Sequence, residues 1–374
     1  MADQERLVKT LIDLIKIDSP SGEEDAIDTE VSSRLESLGL KVSHDSFNNV
    51  IATLEGEGRP IMLSAHIDTV EPGRGIKPMV DGGVLRSDGS TILGGDCKAG
   101  VAIILEGLAA AIESNGGNRA IEVIFTRHEE GGLVGAHHLD FNMVAAKEGI
   151  VFDGEGPPNR IILSAPSQNV VTAQITGRAA HAGLEPEKGI SALLIAADIL
   201  GRLPLGRIDE ETTANIGRME GGLKRNIIPE QAFLDGEFRS RSNEKLADVE
   251  RKFRGVFEEV ASRFPEAKID LDIVNTYQAY NVDPNNDAVA IIGKALAEMG
   301  LEPILETTGG GSDANVFIEK GISAIPVGIG VRDFHTTWET AVIAEVLQGA
   351  QMCQGIVKGA QPHKIVWFNG DRVS

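Results

Sequence analysis

The sequence predicts an α/β protein into which a ferredoxin-like α+β unit is inserted. Strand-like and helix-like apolar runs alternate up to about residue 168 and resume after about residue 281, the pattern of an α/β sheet. Acidic and imidazole side chains fall at the ends of those strands, where open α/β sheets collect their ligands. Between the two parts the order becomes β-α-β-β-α-β, which is the split-βαβ unit. A self-contained insertion of that kind sets the domains at 1–168, 169–281 and 282–374, with the first and last forming one body.

Leu7, Val8, Leu11, Ile12 and Ile15 recur at spacings of three and four and predict an opening helix that Pro20 stops. Ser21 and Glu24 have capping-box spacing and predict a second helix running towards Leu38. Strands at Val50–Leu54 and Pro60–Ala65, a long helix over Ala99–Ser114, and strands at Ile121–Thr126 and Ile150–Asp153 complete the first part. In the insertion, Val171, Ala173 and Ile175 alternate with polar residues as a half-buried strand does. Helical spacing over Ile190–Leu200, strands near Thr213–Glu220 and Ala232–Arg239, a helix through Leu246–Val260 and a strand at Ile269–Ile273 follow. The last part returns to alternation, with helices over Asp287–Met299, Ser312–Glu319 and Glu339–Val357 and strands at Pro303–Glu306 and Ala324–Gly328.

Composition narrows the classes of function. With 42% hydrophobic and 24% charged residues the 374-residue chain is globular rather than disordered. A net charge of -21 argues against nucleic acid or an anionic membrane as partner, since both need basic surface. Cys97 and Cys353 are too few for a disulfide framework, which favours a reducing cytoplasm. MADQERLVK has no apolar core of a signal peptide, and no apolar run is long enough to span a bilayer.

Five residues carry the candidate chemistry: His66, Asp96, Glu130, Asp153 and His335, in SAHIDTV, LGGDCKAG, FTRHEEGGLVGA, IVFDGEG and RDFHTTWET. Two imidazoles and three carboxylates suit a pair of borderline divalent ions, zinc above all. Each alone reads equally well as a cap, a turn or a surface group; their joint placement after successive strands is the signal. Asp68 lies two residues from His66 on the same strand face and can accept its second ring N–H. Glu129 neighbours Glu130 on the opposite side of an extended chain and is left over as a general base. Asp96 also fits an N-cap of the helix that follows it. Gly309 to Asp313 can offer backbone N–H groups of Gly311 and Ser312 to a substrate carboxylate at a helix start. His137 and His138 read as surface residues, no HExxH spacing exists, no phosphate-loop lysine follows the glycines, and Ser64 and Ser312 lack a nucleophile elbow.

Taken together, HIDTV, GGDCKAG, HEEGGLVGA, VFDG and FHTTWE resemble the di-zinc exopeptidase family that includes peptidase T, aminoacylase and succinyl-diaminopimelate desuccinylase. The likeness runs over essentially the whole chain, and HEEGGLVGA and GGGSDANVF look most like the peptidase T-like branch. It implies a catalytic domain of that type carrying a lid and dimerisation insertion. It also implies that His66 and Asp153 hold one ion, Glu130 and His335 the other, with Asp96 between them. Asp68 would orient His66, and Glu129 would act as the base. His181 in GRAAHAG would reach across a dimer to polarise the scissile carbonyl, while Asn226 in NIIP and Arg239 in EFR would hold the substrate carboxylate. Arg241 reads as a surface charge. Cys97 stands where relatives often carry an acid, Met or Ser; it is expected as a packed thiol, beside a cis peptide the family implies.

The expectation is therefore a cytoplasmic, homodimeric metallo-exopeptidase using two divalent ions, zinc first with cobalt or manganese as alternatives, on tripeptides or similar short peptides. Amide hydrolysis of the same family type, such as N-acyl amino acid deacetylation or carboxypeptidase action, shares the same motifs. A non-catalytic metal-binding dimerisation module is the alternative from another class, and the unligated Glu129 argues against it.

Overall fold

The structure, a computed structural model, describes residues 1–114 and 117–359. It divides into two compact units, Met1–Leu163 with Val282–Thr307 and the chain from Ser312, and Ser164–Asn281 with Thr308–Gly311.

The first unit opens with α1 (Gln4–Ile15), which buries Leu7, Leu11, Leu14 and Ile15 and is capped by Asp3 accepting the Arg6 N–H. It ends five residues before Pro20, which instead pairs with Thr69. The second helix, α2 (Asp25–Ser37), forms without the expected capping box, for Glu24 makes no side-chain cap bond. Next come β1 (Lys41–His44), β2 (Val50–Leu54), β3 (Glu57–His66), β4 (Met79–Asp81), β5 (Val84–Arg86), α3 (Gly95–Glu113), β6 (Arg119–Thr126), α4 (Val134–His138), β7 (Glu148–Gly154) and β8 (Arg160–Ala165). The exposed ring of His138 on α4 stacks on Phe47.

The second unit holds β9 (Ser167–Thr176), α5 (Ala192–Leu200), β10 (Gly206–Asp209), β11 (Thr212–Gly221), β12 (Gln231–Ser240), α6 (Asn243–Arg263), β13 (Lys268–Tyr277) and β14 (Tyr280–Asn281). Its sheet, β10-β11-β12-β9-β13, is antiparallel throughout, and apart from β10 it is the split-βαβ arrangement the sequence predicts. Val171, Ala173 and Ile175 of β9 pack with Ile195 and Ile199 of α5 and Phe253 and Phe257 of α6. The alternate residues Gln168, Glu237 and Arg239 share the opposite, polar side.

The chain returns to the first unit through α7 (Asp287–Glu298), β15 (Ile304–Thr307), α8 (Asp313–Glu319), β16 (Ser323–Gly328), β17 (Val331–Arg332), β18 (Thr340–Val342) and α9 (Ile343–Val357). The last helix begins four residues later than its spacing suggests, so Glu339 lies in the loop just before β18.

The main sheet of the first unit runs β1-β2-β6-β3-β7-β16-β8, with β3, β6, β7 and β16 parallel at its centre. Those strands are nearly continuous buried apolar runs, as central parallel strands covered on both faces must be. Helix α3 is buried on every side from Gly95 to Ala111. It reaches the sheet because Gly100 has no side chain; a Cβ there would collide with the Phe152 carbonyl oxygen. That contact sets the start of α3 against the end of β7, so Asp96 and Asp153 meet. No helix among the described residues is long and apolar enough to cross a membrane.

Candidate metal centre

His66 is the last residue of β3, Asp153 lies near the end of β7, and Glu129 and Glu130 follow β6. Parallel neighbours end on the same edge, so these three strands deliver their polar termini to one place. Asp96 arrives at the start of α3 and His335 in the loop between β17 and β18. The structure brings all five together. His66 Nε2 lies 3.1 Å from Asp96 Oδ1 and 3.5 Å from Asp153 Oδ1. His335 Nε2 lies 3.0 Å from Glu130 Oε1 and 3.2 Å from Asp96 Oδ2. The two oxygens of Asp96 thus face two separate donor groups. Donor atoms of His66, Asp96 and Asp153 lie within 4.8 Å of one another, as do those of Asp96, Glu130 and His335, and those of His66, Glu129 and Glu130.

Asp68 is fully buried and does more than orient His66. The His66 Nδ1–H donates to the Asp68 main-chain oxygen at 3.0 Å, with the carboxylate at 3.4 Å. That leaves Nε2 facing Asp96 and Asp153. The Asp68 carboxylate also accepts the N–H groups of Glu129 and Glu130, at 2.9 and 3.2 Å, and the Ser21 hydroxyl at 2.6 Å. Here the two residues with capping-box spacing find their use. Ser21 supports Asp68, and the buried Glu24 carboxylate accepts the His128 and Gly22 N–H groups and pairs with Arg127. His128 at φ 55 and His335 at φ 62 have left-handed backbone, which flanks Glu129 on one side and supplies a donor on the other.

The electrostatics follow from burial. Burial pushes the carboxyls of Glu129, Glu130 and Asp153 above the usual range. Burial acts the same way on Asp96, but its bonds to His335 and His66 prevail and hold it down at about 2. The same pairing with Asp96 and Glu130 raises His335 to about 10. So many carboxylates in one buried spot, against two imidazoles, is costly unless cations share the space. The donor set therefore fits two divalent ions, with hard oxygen ligands and imidazoles mixed as such ions require.

Cys97 is a packed thiol, as expected: it is buried, donates to the Phe152 carbonyl oxygen at 2.7 Å, and burial pushes its pKa well up. The Asp96–Cys97 peptide is cis. Cys353 is likewise buried and unpaired.

Three residues of this region carry no signal that strand or helix spacing could reveal. The buried Glu339 carboxylate accepts the N–H groups of Leu93, Gly94 and Asp96, each at 2.8 Å. Lys98 is fully buried, donates from Nζ to the Ile17 carbonyl oxygen, and is pushed down to about 7 by burial. Asp313 is buried, accepts the Thr126 hydroxyl, and burial raises it to about 7. Only their places inside FHTTWE, GGDCKAG and GGGSD mark them.

The expectation that Ser312 offers its N–H to a substrate carboxylate is corrected. The Ser312 N–H donates to Asn315 Oδ1 at 3.1 Å and is not offered outwards. Gly311, in the second unit, is a packing position, since a Cβ there would collide with the Tyr277 ring.

Within the second unit, His181 Nδ1 accepts the Gly183 and Leu184 N–H groups, both at 3.2 Å, so the ring proton sits on the exposed Nε2. Asn226 lies beside it, its carbonyl accepting the Ala182 N–H. Arg239 is elsewhere: its guanidinium is held in a fork by Glu237, and its backbone stands opposite Gln168 at the other end of β9. Gln231, near Asn226, and Arg239 lie eight residues apart on β12, roughly 26 Å at strand rise. Asn226 and Arg239 therefore stand towards opposite ends of β12.

Comparison with known proteins agrees with this picture. Residues 169–265 match a peptidase dimerisation domain model, and residues 49–186 match peptidase family M28. The chain is 39% identical over 371 residues to the uncharacterised protein YqjE of Bacillus subtilis, covering 96% of this chain and 100% of that one. It is 38% identical to the crystal structure of aminopeptidase PepT from Bacillus cereus, with a TM-score of 0.83 over 96% of this chain and 98% of that one. A tripeptidase from Staphylococcus aureus is 33% identical, with a TM-score of 0.88 over the same shares.

Proposed function

The chain belongs to the peptidase T-like metallopeptidases of the family that includes aminoacylase and succinyl-diaminopimelate desuccinylase, and on that premise we propose that it is a homodimeric, metal-dependent exopeptidase that cleaves tripeptides and similar short peptides. The observation that carries the reading is Asp96, whose two carboxylate oxygens face His66 on one side and His335 on the other.

His66 with Asp153 would hold one divalent ion and Glu130 with His335 the other, with Asp96 shared between them. When bound, such a pair supplies Lewis acidity to the scissile carbonyl and brings water to a pKa near neutrality. Zinc suits the donor set best, with cobalt or manganese as working substitutes. Glu129, beside this set and not needed in it, takes the proton of the attacking water on its carboxylate and returns it to the leaving amine nitrogen. Asp68 keeps the His66 ring in one tautomer and at the same time fixes the Glu129 backbone, so ligand and base stay in register.

His181 carries its proton on Nε2 and would donate it to the carbonyl oxygen of a substrate in the partner's site. Asn226 would travel with it. Arg239 would bind the substrate carboxylate with its guanidinium, which Glu237 already holds in a fork geometry. The separation of Asn226 from Arg239 along β12 supports a site completed by two protomers.

The test is Glu129→Ala assayed with Ala-Ala-Ala. The expected result is a fall in kcat of about 10²–10⁴-fold with metal stoichiometry unchanged; unaltered turnover would falsify the assigned role. Digestion of a peptide library beside N-acyl amino acids separates the activities. Efficient release of acyl groups without tripeptide cleavage would move the reading to an amide hydrolase.

A further inference from the structure

The first amides of α3 need an acceptor, and the helix does not supply one from its own N-cap: Gly94 stands there, at φ 72, with no side chain. The residue placed to cap it in sequence is Asp96. Yet Asp96 and Cys97 depart from helical backbone, and both oxygens of Asp96 are turned to the two imidazoles. The acceptor comes from 243 residues away. Glu339 Oε2 takes the Leu93 and Gly94 N–H groups, and Oε1 takes that of Asp96. Three amides converging on one anion at a helix start form a nest, which a carboxylate fills best because it accepts on both oxygens and donates on neither. Gly95 permits the approach, since a Cβ there would lie 3.1 Å from Glu339 Oε1.

We infer that Glu339 is the positioning residue of the metal centre: it takes over the capping of α3 and so frees the Asp96 carboxylate to be shared by two ions. The same short segment carries His335 four residues earlier. One stretch of chain therefore supplies a ligand and fixes the backbone of the ligand facing it. A local cap by Asp96 and a shared Asp96 exclude each other, because the carboxylate cannot turn to both. This rests on the reading of the site as a metal centre.

The experiment is titration of the metal-free full-length protein with Co²⁺, read by calorimetry and by the visible absorption of bound cobalt, for wild type, Glu339→Gln and Glu106→Gln. Glu106 is the control, an equally buried carboxylate that holds Asp3 and Arg6 away from the centre. The amide introduced by E339Q would put an NH₂ group against one set of backbone N–H groups. E339Q is expected to bind cobalt about ten- to a hundredfold more weakly, the usual cost of losing a supporting partner, with a changed visible band. E106Q should lower the thermal midpoint and leave affinity and band alone. Equal affinity and band in E339Q and wild type overturn the inference, and so does an equal loss in E106Q. If E339Q does not fold, Glu339→Asp answers the same question, because the shorter carboxylate keeps its charge but cannot span the three amides. Wild type that takes up no cobalt would overturn the metal-centre reading itself, an outcome distinct from the others.

Discussion

The two units use polar residues in opposite ways. In the first, side chains from five separate segments, all but the exposed His335 buried or half-buried, are drawn into groups within 4.8 Å. In the second, His181 and Asn226 sit exposed, and Arg239 lies near the far end of β12, roughly 26 Å of strand from Gln231. The first unit gathers a donor set that fits small cations. The second leaves hydrogen-bonding groups exposed. On the proposed reading, the chemistry is gathered in one protomer and recognition is divided between two.

Mixing variants tests that division most severely. Glu129→Ala and His181→Ala should each be nearly inactive alone, the latter by about 10²–10³-fold as expected for loss of one donor to the carbonyl oxygen. In a mixed dimer one site keeps its own Glu129 and receives His181 from the other chain. Activity should then return to about a quarter of wild type at equal mixing, given a two-fold symmetric dimer. Subunit exchange confirmed by native mass spectrometry with no recovery of activity would place His181 in its own protomer's service.

Arg239→Lys probes the other end of the sheet. A lysine keeps the charge but loses the fork, so KM for Ala-Ala-Ala should rise about tenfold with kcat nearly constant. The preference for a free over an amidated C-terminus should shrink with it. A variant that discriminates as well as wild type would remove Arg239 from carboxylate binding.

The smallest effect separates Cys97 from the chemistry around it. Both thiols are buried and pushed up in pKa, so a thiol reagent at mildly alkaline pH should label neither in the native protein and both after denaturation. Rapid native labelling of Cys97 would mean it is open to solvent and available to an ion.

Much of this organisation is legible without coordinates. Periodicity finds the central strands and the order of the insertion, because buried parallel strands and amphipathic helices impose their spacing on the chain. The five candidate donors can be named because each follows a strand or opens a helix, and carboxylates at such places need a partner. Glu339 reads as a helical residue in sequence, since Val346 and Ala350 continue a pattern that can be extended backwards into it. Ser21 and Glu24 match a capping box by spacing, yet their bonds run to Asp68 and to the Arg127–His128 segment.

The sequence by itself determined the candidate donors and the alternation that brings strand ends to one edge. Both are set by local spacing and by the cost of burying charge. Only the tertiary structure decided that Asp96 turns its oxygens to His66 and His335 instead of capping its helix, and that Glu339 accepts the amides there in its place. Those outcomes depend on contacts between residues far apart in the chain, and a hydrogen bond spanning 243 positions leaves no period in the sequence.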